Sequence, residues 1–463
     1  MGAAAELFHS SDAGKETLNK RVRPSAAQRD FLKENKDDLE KHLKNDLSER
    51  CGYPVSTFLQ GSYKLHTLIR PVTKYDEYDV DVGVYVEWGE WDGAISPQDL
   101  REHAQRSLVE YNRTGQSESV DEPKERCSRV RYKQQFHIDT PIYHHNTDTL
   151  VARLATLHSG WELSDPEKMV RWFQARLDGD ERAQVRRLTR YLKAWAALRF
   201  RDAAPSRPSS LMLTVLAVDA YAASTDEISA ADDDALRAIL TSIRNRLHYS
   251  SYVQNPVPSD GDRNLNRMDQ QNFDNFVEAL GQFADIAQRA IESDDDVEAA
   301  TIWAEAFDYL FPLPDVEGIL EESAGRGVAV VAPIIEVAIS ATEGGRSIRR
   351  HNEGIVEFVR IGEWLRFEIV NANALPARAQ VKWIVRNTGE YAHKENDLGH
   401  SKNDNGSFVH DEKAAYYGRH FMDCEVRVDG RLYSLTRVPV VVTGLPMPPR
   451  HPPRPSYHRI GRR

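Results

Sequence analysis

The sequence predicts an α+β fold: a mixed sheet with helices, then a helical half, then a separate small β-rich domain. Three observations carry this reading. From Asp79 to Trp88, Val80, Val82, Val84 and Val86 alternate with acidic or small residues, the period of two of a half-buried strand. From 165 to 311 helical periods dominate, and beyond about 355 short β-type runs return, separated by Asn, Asp and Gly. At 463 residues the chain exceeds one typical core.

Taken in order, residues 25 to 48 carry Phe31, Leu32, Leu39, Leu43 and Leu47 among Lys, Asp and Glu, one apolar stripe on a helix. Phe58 to Gln60 reads as a short strand, Gly61-Ser62 as a turn, and Tyr63 to Leu68 as the first turns of a helix. A helix is expected at 97 to 113 after Pro97, and two further strands between Arg129 and Tyr143. Helices follow at Arg186 to Phe200, Ser209 to Ala222, Asp233 to Leu247, Phe273 to Ile291 and Val297 to Leu310, closed by Pro312-Leu313-Pro314. The apolar run Val328 to Ile339 reads as a packing or linking segment. Strands are expected at Trp364 to Val370, Ala379 to Val385, Phe421 to Val428, Arg431 to Leu435 and Val438 to Val442. The boundaries are an N-terminal segment 1–24, a core 25–160, a helical subdomain 161–312, a linker 313–354, a β-rich domain 355–444 and a flexible tail 445–463.

Composition narrows the function. A net charge of -11 argues against coating long nucleic acid, though small charged ligands can be gripped locally. Cys51, Cys127 and Cys424 lack metal-type spacing and suit a reducing compartment. No secretory signal or membrane span is read, so the expected location is cytoplasmic.

The chemistry concentrates between 58 and 139. Residues two apart in a strand face the same way, so Asp79 and Asp81 project together, and Asp139 joins them if its strand lies alongside. Such a set suits divalent metal, Mg2+ first and Mn2+ as the alternative. By chance, about 11 acid-x-acid matches arise in this composition, Asp260-Gly261-Asp262 being one, so the pair means little alone. Its weight comes from order: strand, Gly61-Ser62, helix, the Asp79/Asp81 strand, then Asp139. Gly61 permits close backbone approach, and Ser62 offers a hydroxyl and an amide at a helix start, where phosphate is favoured. Lys193 reads either as a charge near polyphosphate or as an exposed helix lysine beside Trp195. Ser209 reads either as a phosphate contact or as a helix N-cap, with Ser210 able to substitute. Arg186, Arg187 and Arg190 form a basic face that is either solvated or lines a cleft.

Gln60-Gly61-Ser62-Tyr63, Thr67 to Pro71 and Tyr78 to Val84 resemble the polymerase β-like nucleotidyltransferases, specifically the bacterial cGAS-like CD-NTases. Ser164-Asp165-Pro166 with Trp172, Leu192 to Trp195, Pro208 to Leu211, and Trp303 with Phe307 extend the resemblance through about 312. It implies that Asp79, Asp81 and Asp139 bind magnesium, with Asp139 helping to activate a hydroxyl. It also implies that Gln60 and Ser62, beside Gly61, contact the donor triphosphate, and that Lys193 and Ser209 or Ser210 reach its phosphates.

Trp383 to Glu390, Tyr417 to Phe421 and Cys424 resemble the AGS-C domain, a presumed sensor, over about 355 to 444. His393, His400, His410 and His420 match no metal spacing and are read as surface loop histidines. Arg386 and Asn387 read as a polar recognition surface, or Trp383 as core with Asn387-Thr388-Gly389 as a turn.

The resemblance implies synthesis of a cyclic or short linear oligonucleotide messenger from nucleoside triphosphates, ATP among them, in antiphage signalling of the CBASS type. Effector and regulatory proteins of a defence operon are the implied partners, with no membrane and no stable long nucleic acid. The alternatives are nucleotide transfer onto an RNA, DNA or protein acceptor, and a non-enzymatic nucleotide sensor.

Overall fold

The computed structural model describes residues 2–72, 76–89, 95–133, 135–224, 228–258, 263–314, 319–321, 331–352 and 354–443. Asp260-Gly261-Asp262 and the tail from 445 lie outside the described residues. The chain divides into two compact units, Met1–Pro314 with Lys394–Asp397, and Asp315–His393 with Leu398–Arg463.

In the first unit, two short helices, α1 (Ala5–Phe8) and α2 (Leu18–Val22), precede α3 (Ala26–Cys51). Ser25 and Gln28 form a reciprocal capping box at the start of α3, and Gly52 ends it at φ 72°. Its buried face, Leu32, Leu39, Leu43 and Leu47, packs in the same core as the valines of the sheet.

The sheet is built from β1 (Val55–Gln60), β2 (Tyr78–Trp88), β3 (Ser119–Val120), β4 (Ser128–Tyr132), β5 (Phe136–Thr140), β6 (Ile142–Asn146), β7 (Ala152–Ala155) and β8 (Trp161–Leu163). One-turn helix α4 (Gly61–Lys64) follows β1, and α5 (Pro97–Arg113) follows β2. β2 is antiparallel to β1 and parallel to both β5 and β6. Between Arg129 and Tyr143 three strands stand where two were expected. The reason is Pro141: it lacks an N–H, yet its carbonyl accepts from Val84 at 2.9 Å and keeps β5 and β6 in register against β2. The expected helix Tyr63 to Leu68 also shrinks to the four residues of α4, and His66 turns the chain at φ 59°.

The helical half comprises α6 (Pro166–Arg176), α7 (Gly179–Arg199), α8 (Ser210–Ala223), α9 (Asp232–Tyr249), α10 (Gln270–Glu292) and α11 (Asp296–Phe307). The N-terminal segment is part of this body: the Phe8 ring is fully buried and meets Trp303 edge-on at 4.8 Å. The basic face of α7 neither lines the cleft nor is solvated. Arg187 pairs with Asp232 at 2.7 Å, Arg186 donates to the Leu65 carbonyl at 3.1 Å, and buried Arg190 donates to His66 and Asn19. Among the described residues, no helix is long and apolar enough to cross a membrane.

The second unit contains β9 (Ile319–Glu321), β10 (Ile335–Ser340), β11 (Ser347–His351), β12 (Val356–Val359), β13 (Trp364–Ile369), β14 (Ala379–Arg386), the short helix α12 (Glu390–Lys394), β15 (Gly399–Asn403), β16 (Val409–Lys413), β17 (Gly418–Val428) and β18 (Arg431–Val442). One sheet runs β11-β10-β13-β16; the other runs β12-β18-β17-β14-β15, with β9 beside β18. Their inner faces share one core, with Val337 and Phe367 from the first and Trp383, Cys424 and Val440 from the second.

Several expectations change here. The stretch 313–354 is more than a linker, because β10 and β11 pair into the first sheet and Ile335, Val337 and Ile339 are core residues. Residues 328–330 lie outside the described residues. Arg431 to Val442 is one strand, not two: Arg437 breaks the apolar pattern, but its charge is met by buried Asp423 at 2.8 Å. Arg386 is no surface group, since it is buried on the same Asp423 at 2.6 Å, and Trp383 is core. The histidines are not surface loop residues as a set, because His410 and His420 are buried strand residues and His400 lies on β15.

Candidate active site

Strand alternation sorts β2 into two faces. Val80, Val82, Val84 and Val86 enter the core, while Asp79, Asp81, Gly83 and Tyr85 take the other side. Asp79 and Asp81 line a cavity of about 620 Å³ in the first unit, within the roughly 300–1,000 Å³ of small-ligand pockets.

The Gly-Ser turn borders the same cavity. Gln60 lies opposite Asp81 in the β1–β2 register, so Gly61 starts its turn directly over that carboxylate. Gly61 has φ 61°, and a Cβ there would stand 2.1 Å from Asp81 Oδ2. Only glycine fits. Gly83 does a related service across the strand: a Cβ on it would lie 1.7 Å from the Gln60 amide nitrogen. Gln60 is thereby seated in the wall, and its carbonyl oxygen accepts from Tyr143 Oη at 3.3 Å. Because α4 is a single turn, any phosphate grip here comes from local N–H groups and the Ser62 hydroxyl rather than a helix macrodipole.

Asp139 stands opposite Asp81 on parallel β5, and His137 opposite Asp79. Ligand atoms of Asp79, His137 and Asp139 all lie within 4.8 Å of one another. Two of these groups are held by partners that sequence reasoning missed. Arg129, opposite Asp139 on β4, grips both its oxygens at 2.5 and 2.8 Å. His137 bridges Asp79 at 2.8 Å and Glu77 at 2.7 Å. No local motif signals these partners; they follow from strand register alone. Asp139 is absent from the described cavity lining, so of the three aspartates Asp79 and Asp81 border the cavity, with Asp76, Glu77 and Asp165 also in its lining.

Electrostatics separates the carboxylates. Burial, then the charges of Asp79 and Asp139, pushes Asp81 up to about 7. Burial also raises Asp79, but the hydrogen bond and charge of His137 outweigh it and leave Asp79 below its ordinary value. A cluster in which one acid is driven toward protonation lacks positive charge. Hard oxygen donors in that state fit a divalent cation.

Across the cavity, Lys193 is buried rather than exposed, donating to Thr67 Oγ1 at 3.0 Å and to its carbonyl at 3.3 Å. Burial, then repulsion from Arg190, lowers it to about 7. Ser209 is the N-cap of α8, accepting from the Met212 N–H at 3.1 Å, whereas Ser210 lines the cavity. Ser164, Asp165 and Arg207 line it too.

This arrangement can be set beside known proteins. Residues 55–143 match the cyclic GMP-AMP synthase DncV-like nucleotidyltransferase domain, which contains Gln60 to Ser62 and all three aspartates. The chain contains a DncV-like nucleotidyltransferase domain. Residues 321–443 of this nucleotidyltransferase match the adenylyl/guanylyl and SMODS C-terminal sensor domain, AGS-C. A cyclic GMP-AMP synthase of Escherichia albertii is 28% identical over 442 residues, covering 95% of this chain and 96% of that one. A c-di-GMP synthase of Roseivirga ehrenbergii is 23% identical over 235 residues, covering 45% of this chain and 59% of that one. The structure of Vibrio cholerae DncV cyclic AMP-GMP synthase with the linear intermediate pppA(3′,5′)pG aligns at a TM-score of 0.57 and 16% identity. That alignment covers 67% of this nucleotidyltransferase and 96% of that chain, a likeness of fold.

The opposed shifts of Asp81 and Lys193 predict a pH signature. If Asp81 is a cation ligand it must bind ionised, and Mg2+ affinity should then rise up to about tenfold per pH unit below 7 and level off above it. If Lys193 is a phosphate contact it must bind charged, and triphosphate affinity should then fall as pH rises above about 7. Calorimetry in buffers of different ionisation enthalpy should find proton release with Mg2+ and proton uptake with triphosphate near neutrality. Mg2+ and triphosphate affinities that both stay flat from pH 6 to about 8 would contradict both expectations.

Proposed function

We propose that this nucleotidyltransferase joins nucleoside triphosphates, ATP among them, into a cyclic or short linear oligonucleotide messenger with release of pyrophosphate. The observation that carries the reading is one cavity with the Gly61-Ser62 turn and Asp79/Asp81 on one side and Lys193 and Ser210 on the other. Match to a cyclic GMP-AMP synthase over 95% of the chain supports cyclisation as the outcome.

On this reading Gly61 and Ser62 hold donor phosphates, Gln60 holds the turn against β2, and Lys193 offers its ammonium group to phosphate oxygen. Asp79 and Asp81, with Asp139 behind them, would hold Mg2+ or Mn2+. The ion when bound polarises the attacking hydroxyl and offsets charge on the departing pyrophosphate. The 3′-oxygen of one nucleotide attacks the α-phosphorus of the next, its bond to pyrophosphate breaks, and the hydroxyl proton passes to Asp139. Arg129 orients that carboxylate through its two hydrogen bonds. A cytoplasmic role in antiphage signalling of the CBASS type, with operon-encoded effectors, is part of the same proposal.

The test is incubation of purified protein with labelled triphosphates and Mg2+, without any macromolecular acceptor. A phosphatase-resistant product with the mass of a cyclised oligonucleotide is expected. Label found only on added RNA, DNA or protein would establish acceptor transfer instead, and nucleotide binding without turnover would establish a sensor.

A further inference from the structure

The second unit carries a cluster that the nucleotidyl-transfer chemistry does not use. β15 is the last strand of one sheet and β16 the last strand of the other, so their inner faces meet at an open edge of the sandwich. His400 is the register partner of core Val385, and His410 and Glu412 are the partners of core Phe367 and Leu365. Register partners share a face. Three positions that the pleat assigns to the apolar interior therefore hold two imidazoles and a carboxylate.

Glu412 Oε2 lies 3.2 Å from His400 Nε2 and 3.2 Å from His410 Nε2, and all three ligand atoms lie within 4.8 Å of one another. Four ligands set tetrahedrally around Zn2+ at about 2.0–2.1 Å stand about 3.3 Å apart, close to the two His–Glu distances. His410 is buried at 7% exposure and its ring stacks on Trp383, which fixes its orientation, while His400 is 48% exposed and leaves a path from solvent.

We propose that His400, His410 and Glu412 bind a first-row divalent transition metal of the Zn2+ class, linking the edge strands of the two sheets. Three protein ligands leave a fourth position open to water or to an anionic group. Two imidazole nitrogens select against Mg2+ and Ca2+, so this site and the aspartate cluster call for different ions. The ligands come from two sheets, spaced ten and then two residues apart, which no short motif captures.

The probe is Zn2+ itself, titrated against a chromophoric chelator into the full chain carrying Asp79→Asn and Asp81→Asn, which weakens cation binding at the aspartates. One equivalent is expected to bind and to raise Tm. Adding His400→Ala, at a half-exposed position, should lower affinity by more than about 100-fold, beyond the range for loss of a ligand's supporting partner, and abolish the Tm increase. Glu412→Gln should do the same, and Co2+ should give ligand-field bands that disappear in both variants. Zn2+ binding unchanged by His400→Ala and Glu412→Gln, or no binding at micromolar Zn2+, would overturn the proposal and leave the trio as a hydrogen-bonded edge seal.

Discussion

Replacing Asp79 and Asp81 together by Asn should lower nucleotidyl transfer by more than about 10³-fold while leaving the protein folded, and Asp81→Asn alone should raise its Tm. The first effect exceeds the roughly 10²–10³ lost with one electrostatic contact, because the proposed cation would lose both aspartates that border the cavity. At about 1.36 kcal/mol per tenfold, this is roughly 4 kcal/mol of transition-state stabilisation. The second effect follows from the direction of the Asp81 shift: its ionised form is disfavoured by burial and by Asp79 and Asp139, and a neutral amide removes that repulsion. Assay by product formation and melting by circular dichroism check both. An active double variant would remove these residues from the chemistry, and an Asp81→Asn protein melting well below the parent would make Asp81 a structural group.

Gly61→Ala should cost about 10²-fold in activity. The methyl group meets Asp81 Oδ2 at 2.1 Å, and the φ of 61° is strained by roughly 1–3 kcal/mol in any residue with a Cβ. Either the turn or the carboxylate must move, and a shift of about 1 Å at a reacting centre is enough for such a loss. The variant should remain folded, with a Tm lower by several degrees. Activity within twofold of the parent would mean that the turn does not need its observed closeness to Asp81.

The features that follow from period and local chemistry were legible in the sequence. Alternation across Asp79 to Trp88 placed both aspartates on one face of β2, and the Phe136 to Asp139 pattern put Asp139 on a strand. The return of β signal beyond 355 anticipated the separate second unit. Features created by register were not legible. Arg129 meets Asp139 because β4 and β5 pair at that residue, and His137 meets Asp79 because β5 lies parallel to β2. The need for glycine at 83 arises from a side chain on another strand. Ser209 and Ser210 differ by one residue at the start of α8, which turns one hydroxyl to the helix end and leaves the other at the cavity. Lys193 could not be told from a surface lysine, since its burial depends on Thr67 arriving from a distant loop.

The two faces of β2 also impose a rule of parity on this gene. Because four valines and the Asp79-Asp81-Gly83-Tyr85 row share one strand, inserting or deleting a single codon within it would exchange the rows. Carboxylates would then face the oily interior and valines the cavity, so solubility and catalysis would be lost in one step. Length changes should consequently be tolerated in the connections between strands and not within β2, where only substitution keeps both rows in place.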